Sequence, residues 1–239
     1  MNNKINLADL ATTYIKPARD MKKMKKLTNV EKTLLLSIGF TLVLLAARLA
    51  YTRSMAYMFY PWNFFLAIVP LLFSRRLQAY TSMGLKPLLL MGGWLLFFPN
   101  APYIVTDVFH FEQRAPIPYW YDLLLVISGA WNGLILGFVS WMQVESYLAR
   151  QLKPVWLKIT SSLFIILAGY GVYVGRYLRY NSWNIVTKPT VLLKSSAKHV
   201  LIPQQYLQVW AFTFAFSAML FVVYYTIRIL QKQSFDVRY

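Results

Sequence analysis

The sequence predicts an all-helical protein, a transmembrane bundle of about six spans. Of its 239 residues, 58% are hydrophobic and only 14% are charged, whereas soluble domains average about 45–50% apolar and about 25% charged residues. The apolar residues are gathered into segments near the length of about 20 residues that a spanning helix requires. Most basic residues lie before, between or after these segments, which is how lysine and arginine orient membrane proteins.

Six segments are predicted to span the membrane. The second is short and is interrupted by Pro61 and Pro70, so a tilted or re-entrant segment is an alternative for it. The third ends at Pro99, short of the thickness of a bilayer. The six ranges are Thr33–Tyr51, Met55–Phe73, Leu85–Phe98, Tyr119–Val144, Val155–Leu178 and Tyr206–Leu230.

The predicted domains are a basic cytoplasmic tail at 1–32, one membrane domain at 33–230 and a short C-terminal tail at 231–239. The net charge of +17 does not indicate a nucleic-acid partner, because eight of the 25 basic residues precede Thr33 and most others flank the apolar segments. The tail stretch RDMKKMKK is expected to lie near anionic lipids of the bilayer. Alternatively, it serves only as an anchor that sets the orientation.

Basic-residue counts predict that both termini are cytoplasmic. With that orientation, the N-terminal tail, the 74–86 loop, the 150–158 loop and the C-terminal end from Arg228 onward hold 17 of the 25 lysines and arginines, in agreement with the positive-inside rule. The 179–205 loop is the exception, since it places four basic residues on the outer side. Its middle, VTKPTVLLKSSAKHVLIP, has the pattern of an interfacial amphipathic segment, with a re-entrant segment as the alternative.

Small residues recur at intervals of four in two predicted spans. Such spacing lets two membrane helices approach closely. We therefore expect the fourth and fifth spans to associate with each other or with a neighbour through Gly129, Gly133, Gly137, Gly171 and Gly175.

The stretch WLLFFPNAPYIVTDVFHF, from Trp94 to Phe111, places several polar residues where a helix is broken. Pro99 and Pro102 lack an N–H and bias Asn100 and Ala101 towards extended backbone. Extended backbone within a bilayer must be buried in protein or line a wet cavity. The sequence thus predicts a polar cavity at the outer face, with ligand-binding residues Asn100, Tyr103, Asp107, Arg176, Arg179, Asn181 and Trp183.

Acidic residues are scarce, and three of the four in the membrane domain are predicted at this face: Asp107, Glu112 and Asp122. An anion site on Arg176 and Arg179 is the favoured chemistry, because residues three apart can face one way on a helix and guanidinium binds phosphate bidentately. The alternative is a neutral structural cluster in which Asp107 pairs with either arginine. Arg48, near the outer end of the first span, is expected either to snorkel to the interface or to join this cluster.

Other chemistries find less support in the residue pattern. A metal site on Asp107, His110 and Glu112 is disfavoured, since these positions do not share one helical face. A Ser182–His110–Asp107 hydrolase lacks a nucleophile-elbow sequence. The chain has no cysteine and no nucleotide-binding or calcium-binding motif, so no cofactor and no metal are predicted.

Four motif blocks resemble those of a family of predicted bacterial integral membrane proteins, domain of unknown function 1361. The resemblance covers roughly residues 33–230, although Asn184 follows Trp183 where the family pattern often has Asp. It implies a multi-pass protein of the bacterial inner membrane and implies no activity. The blocks are WNFFLA (62–67), WLLFFPNAPYIVTD (94–107), WYD (120–122) and GRYLRYNSW (175–183).

The function expected from the sequence is binding of a small anionic or lipid-headgroup ligand at the outer-face cavity, in a transport-related or non-enzymatic role. One alternative is an intramembrane enzyme acting on a lipid or cell-envelope precursor, with catalytic candidates Asp107 as general base and His110 assisting. Another is a structural partner subunit of a membrane complex.

Overall fold

The computed structural model describes residues 27–180, 182, 184–187 and 189–236. The tail stretch RDMKKMKK and the predicted site residues Asn181 and Trp183 lie outside them. The chain divides into two compact units, Met1–Thr160 and Ser161–Tyr239, so the boundary falls within one helix. That residues 33–230 form one domain stays a prediction.

The described part of the chain is helical, as predicted. Short 3-10 helices cover Ile104–His110 and Pro203–Tyr206. The α-helices are α1 (Asn29–Thr52), α2 (Tyr60–Leu77), α3 (Leu85–Phe97), α4 (Asn100–Tyr103), α5 (Tyr119–Leu148), α6 (Pro154–Arg176), α7 (Asn184–Thr187), α8 (Pro189–Leu201) and α9 (Leu207–Asp236).

Five helical segments in the described part of the chain are long and apolar enough to cross a membrane, which confirms a multi-pass helical protein. The predicted second span is the one not among them: α2 begins at Tyr60, later than expected, and carries Arg75 and Arg76 in its last turn. Pro70 lies inside α2 without ending it. The five segments are Asn29–Thr52, Leu85–His110, Tyr119–Leu148, Pro154–Arg176 and Pro203–Gln231.

The helices of the first unit alternate in direction. Arg48, near the end of α1, contacts Asp122 at the start of α5. At the opposite end, Glu31 at the start of α1 contacts Arg75 at the end of α2 with a nitrogen–oxygen distance of 3.2 Å. We call these the Arg48 end and the Glu31 end of the unit.

Hydrogen bonds tie the Glu31 end together. Ser74 Oγ donates to Gln143 Oε1 over 2.8 Å, which joins α2 to α5. Tyr147 Oη donates to the Ser82 carbonyl over 3.0 Å, which joins α5 to the α2–α3 loop. Thr28 and Glu31 form a capping box at the start of α1, satisfying backbone N–H groups that have no partner within the helix.

The glycines of α5 allow Tyr60 of α2, and Ala101 and Ile104 of the proline-containing segment, to lie close to the α5 backbone. A Cβ at Gly129 would overlap the Tyr60 ring. A Cβ at Gly133 would lie 2.5 Å from the Ala101 carbonyl oxygen and 2.8 Å from Ile104 Cβ. Only glycine permits these contacts, because real side chains do not approach backbone so closely.

The prediction of extended backbone at Asn100 is wrong. Pro99 has φ −58° and ψ −23°, and α4 begins directly after it. The Ala101 N–H bonds to the Phe98 carbonyl over 3.1 Å, which leaves the Phe97 carbonyl to accept from Asn100 Nδ2 over 2.8 Å. Helical turns persist through the prolines because side chains and shifted backbone bonds satisfy the groups that proline frees.

In the second unit, α6 and α9 meet closely at Gly169. A Cβ there would lie 2.8 Å from the Thr213 carbonyl oxygen, and Ser217 Oγ donates to the Ile165 carbonyl over 3.2 Å. His199 joins α8 to the same two helices. Its Nδ1 lies 2.9 Å from Tyr170 Oη, and burial lowers the pKa of its imidazole below the usual value.

The contact at Gly133 predicts that Gly133→Ala destabilises the first unit. The added methyl group would overlap backbone at Ala101, and overpacking of this kind costs about 1–3 kcal/mol. Thermal unfolding of the purified protein in detergent measures the effect. Gly39→Ala is the matched control, since nothing lies within 4 Å of a Cβ at that α1 position. Equal melting temperatures for the two variants would contradict the close approach.

Candidate functional site

The Arg48 end of the first unit gathers polar side chains from four helical elements. Alternating helix directions bring the end of α1, the start of α2, the Ile104–His110 3-10 helix and the start of α5 to one level. Three of the motif blocks in the sequence meet there. The four side chains are Arg48, Asn63, Asp107 and Asp122, of which Arg48, Asp107 and Asp122 are buried.

Arg48 and Asp122 form a bidentate ion pair. Arg48 Nε donates to Asp122 Oδ1 over 2.7 Å, and Arg48 Nη2 donates to Asp122 Oδ2 over 3.1 Å. The two side chains are only 1% and 2% exposed. Asp122 lies in the first turn of α5, where the helix dipole favours a negative charge. The pair therefore fixes α1 against α5 at this end.

Asp107 is held by Asn63, whose Nδ2 donates to Asp107 Oδ2 over 3.0 Å. The Asp107 residue is 1% exposed. This bond ties the start of α2 to the 3-10 helix. His110 follows one 3-10 turn later, is exposed, and packs its ring 5.6 Å from that of Phe59.

The Tyr57 ring contacts two arginines of this end, Arg48 and Arg114. The guanidinium carbons of Arg48 and Arg114 lie 5.1 Å and 5.0 Å from the centroid of its ring. Tyr57 has a φ of 66°, a left-handed conformation that is an outlier for a bulky residue. Such strain costs about 1–3 kcal/mol and occurs preferentially at functional sites. The Tyr57 ring is only 3% exposed. Its burial is therefore maintained despite local backbone strain.

The two guanidinium groups differ in how firmly they are paired. Arg114 Nη2 lies 3.0 Å from Glu112 Oε2, and the side chains of this pair are 33% and 71% exposed. Exposed pairs of this kind contribute little to stability. Arg48 Nη1 is buried and has no hydrogen-bond partner among the described residues. The site therefore offers one fixed, unused donor and one arginine whose carboxylate is easily exchanged.

The residues predicted from sequence are placed in different parts of the chain. Asn100 and Tyr103 are half-buried in the first unit. There Asn100 caps a backbone carbonyl, and the Tyr103 carbonyl accepts from Thr106 Oγ1 over 2.6 Å. Arg176 and Arg179 belong to the second unit, so their coupling to Asp107 stays a prediction. Because α6 ends at Arg176 and Arg179 has a φ of 55°, the expected helical spacing between these arginines is wrong.

Sequence reasoning missed the partners that complete the site. Asn63 lies inside the WNFFLA block, and its position in that motif is the signal that could have identified it as a site residue. Asp122 was recognised as an outer-end acid, and Arg48 only as a residue that snorkels or joins the cluster. Tyr57 and Arg114 lie in loops, and no spacing rule connects them with α1.

A family model described as protein of unknown function, DUF1361, matches residues 62–223. The matched range begins at the WNFFLA block and includes Asn63, Asp107, Arg114 and Asp122. No curated protein matches the chain, and no solved structure does.

The buried ion pair predicts strong coupling between Arg48 and Asp122. Asp122→Asn would leave a buried guanidinium without its charge partner, at a cost of about 3–5 kcal/mol. Adding Arg48→Gln removes that uncompensated charge, so the double variant should be more stable than the sum of the single losses implies. Thermal unfolding in detergent supplies the double-mutant cycle. Arg53→Gln, an exposed arginine at the same end, is the control. Strictly additive losses would contradict the coupling.

Proposed function

We propose that the chain, which belongs to the DUF1361 family of proteins of unknown function, is a multi-pass membrane protein that binds a small anionic group at the Arg48 end. A phosphate, free or in a lipid headgroup, has the chemistry that this end would recognise. The observation that carries the proposal is the pair of guanidinium groups on the Tyr57 ring. One of them has a buried N–H group without a hydrogen-bond partner among the described residues.

Arg48 is positioned for an anion by its ion pair with Asp122. Its Nε and Nη2 are occupied by Asp122, so the plane of the guanidinium is fixed before any ligand arrives. A buried N–H without a partner costs about 1–3 kcal/mol. An anionic oxygen at Nη1 would remove that cost and form a charge-assisted hydrogen bond. Preorganisation therefore favours an anion at this position.

Arg114 is the second guanidinium proposed to bind the anion. Its partner Glu112 is mostly exposed, and a singly charged carboxylate in water is a weak competitor for guanidinium. A phosphate group offers more charge and a geometry that matches the guanidinium fork. Arg114 would exchange Glu112 for the ligand while remaining on the Tyr57 ring.

An enzyme is the second candidate, and the Asn63–Asp107 contact favours it. A buried carboxylate held by an amide donor can serve as a positioned general base. His110, one 3-10 turn further along the chain, would assist it. Such an enzyme would act on a lipid or cell-envelope precursor. Asp107→Asn would then abolish turnover while the protein kept its thermal stability and its ligand affinity.

The cellular setting is part of the proposal. We place the chain in the bacterial inner membrane with both termini cytoplasmic, because basic residues concentrate in the tails and in two loops. The Arg48 end would then face outward, and RDMKKMKK would meet anionic lipids inside. A transport-related role or a role as partner subunit, with association through the glycine-bearing helices, would use the same orientation.

Phosphate binding at the Arg48 end predicts ligand-induced stabilisation of the purified protein. Inorganic phosphate and dihexanoyl phosphatidic acid are the probes, and they separate a free anion from a lipid headgroup. At a ligand concentration 100 times Kd, binding stabilises the folded protein by about 2.7 kcal/mol. Thermal unfolding in detergent detects that shift. Arg114→Gln should abolish it with little loss of basal stability, because Glu112, the ion-pair partner of Arg114, is mostly exposed.

Two further variants locate the effect. Arg53→Gln removes an exposed charge from the same end and should leave the shift intact. Arg176→Gln tests the larger cavity predicted from sequence, whose arginines lie in the second unit. A shift that Arg114→Gln preserves, or one that Arg53→Gln removes equally well, would refute a specific site at the Arg48 end.

The proposed orientation predicts opposite labelling at two positions of this cysteine-free chain. Gln113→Cys, in the exposed loop before α5, should react with a membrane-impermeant maleimide on intact cells. Gln151→Cys, beyond the Glu31 end, should react only after the cells are permeabilised. Permeabilised cells control for the reactivity of each thiol. Labelling of position 151 alone on intact cells would reverse the orientation.

A further inference from the structure

We propose that α8 lies on the bilayer surface and holds anionic phospholipid headgroups through Lys194 and Lys198. This inference concerns the second unit and does not depend on the proposed function at the Arg48 end. It rests on three observations: how α8 is rotated, which side chains it leaves exposed, and how charge is distributed along this unit.

The rotation of α8 is fixed by His199. This residue is 3% exposed, and its ring contacts Tyr170 of α6 through a 2.9 Å hydrogen bond. The Trp210 indole N–H of α9 donates to the His199 carbonyl over 2.9 Å. Tyr206 packs its ring 4.7 Å from the imidazole. The His199 face of α8 therefore points into the second unit.

The opposite face of α8 is apolar and exposed. Residues advance about 100° each around an α-helix, which places a stripe of four small or apolar side chains roughly opposite His199. Three of these are 63–78% exposed. Lys194 and Lys198, both exposed, lie along one edge of the stripe. The stripe consists of Leu193, Ala197, Val200 and Leu201.

The charge of this unit points to an anionic partner. No Asp or Glu occurs between Glu145 and Asp236. Five basic residues of the second unit precede α9: Arg176, Arg179, Lys188, Lys194 and Lys198. Positive charge on the polar edge of an amphipathic helix attracts anionic lipids. The charge on α8 thus has no acidic counterpart within its own unit before Asp236.

The position of α8 in the chain indicates that the membrane covers its exposed apolar stripe. It lies between α6 and the Pro203–Gln231 segment, both long and apolar enough to span a bilayer. With 13 residues, α8 is about 20 Å long at 1.5 Å per residue, too short to cross a hydrocarbon core of about 30 Å. A short helix with an apolar face and lysines at its edge is typical of helices that lie in the plane of the membrane–water interface.

Nitroxide labels at single cysteines test the depth of α8 in the full-length protein. The protein is reconstituted into vesicles of phosphatidylcholine and phosphatidylglycerol, with Leu193→Cys and Val191→Cys labelled separately. Both positions are exposed, yet Val191 lies beside the lysine edge and away from the stripe. The ratio of collisions with oxygen to collisions with a water-soluble nickel complex should be higher at 193 than at 191.

The labels also separate the possible occupants. Frequent nickel collisions at both positions would place α8 in water, and infrequent collisions with both reagents at 193 would place protein on the stripe. Either result would overturn the proposal.

Lipid preference tests the role of the lysines. A fluorophore at Leu193→Cys is quenched with brominated phosphatidylglycerol or brominated phosphatidylcholine in vesicles. Each lysine near the surface contributes about 1 kcal/mol, which corresponds to about fivefold in affinity. Lys194→Gln and Lys198→Gln should each lower the preference for phosphatidylglycerol by about that factor. Lys158→Gln, outside α8, should leave it unchanged. No preference in the protein with both lysines, or full preference in the double variant, would refute the headgroup contact.

Discussion

The close approach of α5 to the proline-containing segment positions the rest of the first unit. Because Gly133 has no side chain, the Ala101 carbonyl and Ile104 can lie directly against the α5 backbone. That contact fixes the 3-10 helix which follows, and the 3-10 helix presents Asp107 to Asn63 on α2. Nearly two turns before Gly129, α5 presents Asp122 to Arg48. Helix separation thus determines which polar groups meet.

Charge burial at the Arg48 end is compatible with both a structural and a ligand-binding role. A buried pair is tolerated when its hydrogen bonds are satisfied, and it is seldom a large source of stability. Here Arg48 uses two donors on Asp122 and leaves Nη1 without a partner in the described part of the chain. The strained Tyr57 beside it adds a local cost. An unused hydrogen-bond donor and a strained backbone thus occur together at this end, as is common at preorganised functional sites.

The two proposed anion contacts use different cations for physical reasons. Arginine has a planar, fixed fork that suits a specific phosphate in a partly buried site, as at the Arg48 end. Lysine is a strongly hydrated point charge on a flexible stem, which suits a mobile lipid surface. The exposed lysines of α8 and the buried Arg48 therefore correspond to a diffuse and a specific mode of recognition. Both modes act on a chain whose net charge is +17.

By itself, the sequence determined the fold class and the positions of most helices. Composition and segment length are sufficient for this, because a lipid environment requires long, apolar, internally hydrogen-bonded helices. It also identified Asp107 and the concentration of the few acidic residues of the membrane domain at one end. It did not determine the backbone at Asn100, since local proline preferences favour extended geometry while the surroundings supplied bonds that kept the turn helical.

Only the tertiary structure decided the partners of the charged groups. Asn63 and Asp107 are 44 positions apart, and Arg48 and Asp122 are 74 positions apart. No local rule of spacing connects such residues, because their distance depends on helix direction, crossing and packing. Tyr57 and Arg114 meet only where two loops converge. The sequence therefore supplied the chemical groups of the site, and the packing of the helices selected which of them are neighbours.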